Sequence, residues 1–192
     1  MVSHLFYADD LVLVSHTARG LQWMLNKLSE YGKNKELTVN VHKSKVVVFN
    51  SHSRAASPEP SFTFEDHALE VVDEFKYLGV LFDKGLSFDG ADRHWAGALM
   101  GAIRRLLVLA KDHGITNRLD LMLRLFQSYA VSSGLYGSHI WATQFLTLGH
   151  AWDSQVQRRH LCFLRRLVEV RNSTCRWPLL YELGQVPIFF YW

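Results

Sequence analysis

Two adjacent carboxylates, Asp9 and Asp10, stand between the apolar runs Leu5-Phe6-Tyr7 and Leu11-Val12-Leu13-Val14. Flanks so rich in β-prone residues predict two buried strands joined by a tight hairpin, with both carboxylates at its tip. A carboxylate held against apolar walls is costly unless it is solvated, paired or bound to a cation. The chemistry open to this pair is therefore the binding of a hard divalent ion. Mg²⁺ takes oxygen ligands from one or two carboxylates together with substrate phosphates. An ordinary solvated turn is the alternative, since Asp is a common turn residue.

The elements that must position this pair follow in order. Thr17 is a plausible N-cap for a one-faced helix carrying Leu21, Met24, Leu25, Leu28 and Tyr31, with Gly32 as its stop. Polar residues 33–36 lead to a turn, and Val46-Val47-Val48-Phe49 predicts a buried return strand. Asn50 to Pro60 is Pro/Ser-rich and predicts an exposed loop without chemistry. Phe62 and Phe64 alternate as in a short strand. Val71-Val72 and Phe75 to Phe82 then suggest a small antiparallel hairpin layer, with Gly79 marking a bulge or a close backbone approach.

Composition shifts near Gly85–Gly90, and beyond it the pattern is helical. Trp95, Leu99, Ala102, Ile103, Leu106 and Ala110 recur at helical spacing up to Gly114. A second stripe, capped by Thr116 or Asn117, carries Leu119, Met122, Leu123, Phe126 and Ala130; a third runs through Trp152, Val156, Phe163 and Leu167. Leu135-Tyr136-Gly137 and Trp141 suit packing between helices. The expected fold class is α+β: antiparallel strands with a packed helix over 1–88, then an all-α module over 89–192.

With 48% apolar residues in 192, the chain can build a sizeable core. No apolar run approaches the roughly 18 residues of a membrane span, so a membrane is not an expected partner. Charge is uneven. Residues 1–90 carry 9 Lys and Arg against 12 Asp and Glu, net −3, whereas residues 91–192 carry 12 against 6, net +6. In the third helical stripe, Arg158, Arg159, Arg165 and Arg166 pair at a spacing of seven and return to nearly the same face. Such a strip suits a nucleic-acid backbone, or equally an ordinary solvated face. Cys162 and Cys175 fit reduced, buried thiols. His160 with Cys162 falls short of the four convergent ligands of a structural zinc site.

Phe6-Tyr7-Ala8-Asp9-Asp10 resembles the aromatic-x-Asp-Asp hairpin of reverse transcriptases, in particular those of non-LTR (LINE-type) retrotransposons. Further stretches resemble that family in the same order: Gly20-Leu21-Gln22, Asn40-Val41-His42-Lys43-Ser44-Lys45, Glu74-Phe75-Lys76-Tyr77-Leu78-Gly79-Val80, Leu135-Tyr136-Gly137 and Glu182-Leu183-Gly184-Gln185-Val186-Pro187. The resemblance implies the C-terminal part of a polymerase palm followed by a helical thumb and the start of a connecting region. It implies RNA-directed DNA polymerisation, with an RNA template, a DNA primer, deoxynucleoside triphosphates and Mg²⁺ as partners, and it is compatible with an intracellular, including nuclear, setting.

By the same resemblance Asp9 and Asp10 are catalytic metal ligands. Lys43 approaches the incoming nucleotide's phosphates, or else is a solvated loop lysine. Tyr77, Leu78 and Gly79 fall in a primer grip, or else are core aromatic, aliphatic and bulge. The family's two metal ions also need an aspartate from an earlier strand, and the sequence starts just before the hairpin. An incomplete Mg²⁺ site and no polymerisation by the isolated chain are expected. The runner-up is a non-catalytic nucleic-acid-binding or protein-interaction module of the same ancestry. Unpaired hairpin edges and the apolar Ile188-Phe189-Phe190-Tyr191-Trp192 are expected to stay uncovered and to favour self-association.

Overall fold

In the computed structural model, which describes residues 3–49 and 60–192, contacts divide the chain into two units, Met1–Phe75 and Lys76–Trp192. The described residues are mixed α and β, with three small sheets and several helices. The composition change at 88/89 lies beyond the unit boundary because Val80 is buried in the second unit's core and draws its hairpin there. Of the loop expected over 50–60, residues 50–59 lie outside the described residues.

In the first unit β1 (His4–Tyr7) pairs antiparallel with β2 (Asp10–Leu13), from His4 opposite Leu13 to Tyr7 opposite Asp10. These two strands form a sheet by themselves. That isolation overturns the expected burial of the flanks: all of β1 is exposed, Phe6 at 69%. Leu13 is the residue of the pair that reaches the unit's apolar core.

Helix α1 (Ala18–Lys35) opens as expected, with the Thr17 hydroxyl accepting from the Gly20 N–H at 3.0 Å. Leu25 is buried, and Leu21 and Leu28 pack beside it, while Tyr31 is exposed. Gly32 is not the stop. The helix continues to Lys35, and Glu36 takes the left-handed cap at φ 55°, from which the Leu37 N–H bonds back to the Gly32 carbonyl at 2.9 Å. A Cβ on Gly32 would lie 3.1 Å from the Leu37 carbonyl oxygen, so the small residue serves the returning chain.

Against α1 lies a sheet ordered β3-β5-β4, from β3 (Lys45–Val46), β4 (Phe62–Phe64) and β5 (His67–Val71). Phe62, Phe64, Val46 and Leu69 bury one face of it. The return strand is shorter than Val46–Phe49 suggested, and it pairs parallel to β5, so this layer is not purely antiparallel. Two of its residues find ladder partners, Lys45 opposite Glu70 and Val46 opposite Val71; beyond them there are none among the described residues. Gln22 ties helix to sheet, its amide nitrogen donating to the Thr63 carbonyl at 2.8 Å and its amide oxygen accepting from the Thr63 N–H at 3.0 Å.

Strand β6 (Glu74–Tyr77) runs across the 75/76 boundary and forms a hairpin with β7 (Val80–Asp83). Helix α2 (Asp89–Asp112) buries Leu99, Ala102, Ile103, Leu106 and Ala110 as the periodicity predicts, and Gly114 at φ 65° ends it. Next come α3 (Leu119–Leu125), a π-helical turn (Phe126–Val131) and α4 (Ser132–Gly134). Arg118 holds the cap position of α3 without a side-chain bond, so neither Thr116 nor Asn117 caps it. Gly134 lets this segment close on α2, because a Cβ there would stand 2.9 Å from that of Leu99.

Short helices α5 (Ser138–Trp141) and α6 (Thr143–Thr147) and a 3₁₀ turn (Ala151–Asp153) lead to α7 (Gln155–Leu167), which packs on α2 through Val156, Phe163 and Leu164. Then follow α8 (Arg176–Glu182) and a last 3₁₀ turn (Ile188–Tyr191). Each large apolar side chain fully buried here contributes about 1.5–3 kcal/mol. The last five residues are not all uncovered: Ile188 is buried, its N–H donates to the Gln157 side chain at 2.8 Å, and Trp192 packs against Trp141 and Phe145. Both cysteines are free thiols and, contrary to expectation, exposed. Exposed positions of α7 and of the loop before α8 carry them.

Candidate functional site

The hairpin places its two carboxylates differently. Asp9 lies in the turn with Ala8, which adopts φ 52°, while Asp10 opens β2 opposite Tyr7. Only Asp9 is thus at the tip proper. Adjacent residues on a strand point to opposite sides, but the turn breaks that alternation before Asp10. Among the described residues no group of three His, Cys, Asp or Glu side chains converges as a metal site. Asp9 and Asp10 fit the one or two carboxylates that Mg²⁺ takes from a protein, and the described residues offer no third. Lys43 stands exposed in the turn before β3, its backbone N–H held by the Asn40 carbonyl and side-chain oxygens, each at 3.2 Å.

In the second unit Tyr77, Leu78 and Gly79 come together at one hairpin tip. Leu78 at φ 46° and Gly79 at φ 84° make a two-residue turn with both central residues left-handed, which matches the twist of paired strands. Gly79 is therefore a turn residue rather than a bulge. Leucine in the left-handed region costs about 1–2 kcal/mol, and its side chain is nonetheless exposed at the tip. Strain of this kind persists where neighbours hold it, and it clusters at functional sites.

Two of those neighbours, Trp95 and Tyr136, the sequence marked for helix packing alone and not as partners of this turn. The Tyr136 ring lies against the Gly79 backbone and, tilted, against Trp95 at 5.3 Å between centroids. Tyr136 is 53% exposed, not core packing as Trp141 is. Lys76 Nζ comes within 3.3 Å of His94 Nε2, beside the same hairpin. Nothing local in the sequence announces these pairings, since 18 residues separate Lys76 from His94.

The four arginines of α7 do not form one strip. Arg158 and Arg165 make one file and Arg159 and Arg166 a second, about 100° round the helix. Arg165 turns its guanidinium into the protein, where Nη2 and Nε donate to the Thr174 carbonyl at 2.9 and 3.3 Å. Arg158 lies 3.6 Å from Asp153. Arg159 and Arg166 are exposed, and among the described residues neither makes an ion pair.

Asp92, on α2, is a polar residue that the sequence reading passed over. It is buried, and its carboxylate accepts from the Ser154 hydroxyl at 2.7 Å and from the N–H groups of Gln155 at 2.6 Å and Val156 at 3.2 Å. It thereby caps α7 from another helix, where the helix dipole favours negative charge. On the buried face of α7, His160 is stacked on Phe126 at 5.3 Å, with neither ring nitrogen hydrogen-bonded. Burial lowers its pKa from 6.5 to about 4. Such a lone neutral imidazole among aromatics is a packing group.

Residues 1–82 match the family model for reverse transcriptase (RNA-dependent DNA polymerase). The chain is similar to an uncharacterised transposon-derived protein of Caenorhabditis elegans, with 29% identity over 187 aligned positions that cover 88% of this chain. It spans 57% of that relative's length. No solved structure matches it. No helix among the described residues is long and apolar enough to cross a membrane.

Proposed function

We propose that the chain is part of a reverse transcriptase of the non-LTR (LINE-type) retrotransposon group, with palm-derived residues up to about 88 and a thumb-like and connecting region beyond. The observation that carries this reading is the Asp9–Asp10 hairpin lying within the 1–82 match to the reverse transcriptase family. The transposon-derived relative supports the origin.

The parent activity is RNA-directed DNA polymerisation. Asp9 and Asp10 would hold Mg²⁺, which when bound activates the primer hydroxyl and stabilises the leaving pyrophosphate. Lys43 serves the phosphates of the deoxynucleoside triphosphate. The Tyr77-Leu78-Gly79 tip orients the primer, and Arg159 and Arg166, with Arg158 at their margin, follow the backbone of an RNA template and DNA primer. The exposed hairpin strands provide a route to self-association.

A complete metal site needs a carboxylate from beyond the described residues, so purified 1–192 should bind Mg²⁺ weakly and should not extend a primer. Primer extension on an RNA template with Mg²⁺ or Mn²⁺ tests this, beside an Asp9→Ala/Asp10→Ala control. Extension that depends on the two aspartates would show the site to be complete. Calorimetry showing a tight, stoichiometric Mg²⁺ site lost in Asp9→Ala would do the same.

The lack of a third converging ligand among the described residues favours a second reading, a non-catalytic nucleic-acid-binding module of the same ancestry. On that reading binding survives loss of both aspartates. It weakens with salt in a sequence-blind way, and Arg159→Ala/Arg166→Ala flattens the salt slope.

A further inference from the structure

The described residues of the second unit hold an aromatic surface that the polymerase reading does not use. Trp152 sits at its centre, with its ring 5.1 Å from Trp177 and 4.8 Å from Phe189, both edge to face. Phe189 stacks on Phe190 at 5.1 Å. The Arg176 guanidinium lies over Trp152 at 4.0 Å from its centroid. Around this packed centre three large rings face solvent: Trp177 is 57% exposed, Phe190 69% and Tyr181 84%. Apolar exposure on this scale in one patch marks a binding surface.

We propose that this surface is a stacking platform for unpaired bases of single-stranded nucleic acid. Trp177 and Tyr181 are four residues apart on α8 and share a face, separated by about 6 Å along the axis. That exceeds the spacing of about 3.4 Å between stacked bases, so the two rings take up splayed bases and not a duplex. Aromatic faces accept any base, and arginine contributes to the same stacks.

Charge selects the polyanion over a second copy of the chain. Arg176 and the exposed Arg171 make no ion pair among the described residues, and two copies meeting face to face would bring like charges together. Glu182, the acidic residue of α8, projects about 100° round the helix from Tyr181 and leaves the platform clear.

The test uses the full chain in metal-free buffer, so that it stands apart from the hairpin carboxylates and from any failure of primer extension. Binding of labelled oligo-dT and oligo-U, and of a duplex of equal length, is followed by fluorescence anisotropy. Trp177→Ala/Tyr181→Ala should weaken single-strand binding about tenfold or more, the size expected from losing base stacking, and should affect the duplex far less. Trp177→Phe/Tyr181→Phe should stay near the parent, and tryptophan fluorescence should be quenched on binding. Circular dichroism checks that both variants fold. Absence of single-strand binding, an equal loss on duplex and single strand, or an unaffected alanine pair would each overturn the platform. So would sedimentation showing that the alanine pair merely converts an associated protein into a monomer.

Discussion

A Cβ placed on Gly79 would stand 2.7 Å from Cε1 of Tyr136, so the hairpin turn and the aromatic ring occupy adjoining space that only glycine leaves open. The relation is reciprocal. Gly137, next to that tyrosine, leaves room for Val80, whose Cγ2 would lie 2.8 Å from a Cβ there. Two left-handed glycines thus let two turns mesh, and the strained Leu78 immediately precedes the first of them.

Gly79→Ala should therefore cost roughly 2 kcal/mol, from a left-handed alanine and a clash with the ring. Urea denaturation measures it. In the Tyr136→Ala background the clash vanishes but the backbone strain remains, so the same substitution should cost about half as much. Equal costs in both backgrounds would show that the ring yields freely.

Asp92→Ala strips three donors at the start of α7 of their acceptor and should destabilise the second unit by about 3 kcal/mol, in line with charge-assisted bonds to buried groups. Asp92→Asn keeps an acceptor but not the charge and should lose less. Thermal melts of the two variants rank them; a neutral Asp92→Ala would contradict the capping role.

His160 sets a pH dependence whose sign follows from its burial. Its folded pKa of about 4 lies below the 6.5 of an unfolded histidine, so between these values the unfolded chain binds more protons. This contribution is fully present above pH 6.5, falls with pH, and is lost at about 4, for a total of roughly 3 kcal/mol. His160→Phe, which can keep the stack on Phe126, should flatten the fall in urea midpoint across that window. Parallel pH profiles for parent and variant would assign the acid sensitivity elsewhere.

Hydrogen exchange should separate the hairpin from the helices. Among the described residues strands β1 and β2 pair only with each other, β1 exposed and β2 mostly half-buried, so their amides should exchange near the rate of local opening. Amides of Leu99, Ile103 and Leu106, buried on α2, should be the slowest. Strong protection at Leu5 and Val12 would mean that something covers the hairpin in solution.

Local pattern carried much of this fold. The Thr17 cap, the Leu99 to Ala110 stripe and the Phe62/Phe64 alternation are each written within a few residues, and the structure follows them. Where sequence misled, the deciding partner was remote or missing. Among the described residues, Val47 to Phe49 have the composition of a strand but no neighbour to pair with, and the β1 run has only β2. Asp92 is acidic on a helix, as many surface residues are, and only Ser154 arriving 62 residues later makes it a cap. The paired glycines at 79 and 137 were visible as residues, but what fills the space beside them was not. Of the candidate site, the Asp9–Asp10 hairpin was legible from its flanks, whereas Arg165 gave no sign that Thr174 would claim it.

The Gln22 amide has a meaning beyond joining helix to sheet. Thr63 lies on the outer strand of the order β3-β5-β4, and its N–H and carbonyl point away from β5, where another chain's strand could add itself. By offering one oxygen and one N–H at the right spacing, a side chain from α1 imitates that missing strand for a single residue and stops the ladder there. Gln22→Leu would keep most of the packing but reopen the register, turning a closed margin into a template for fibrillar growth.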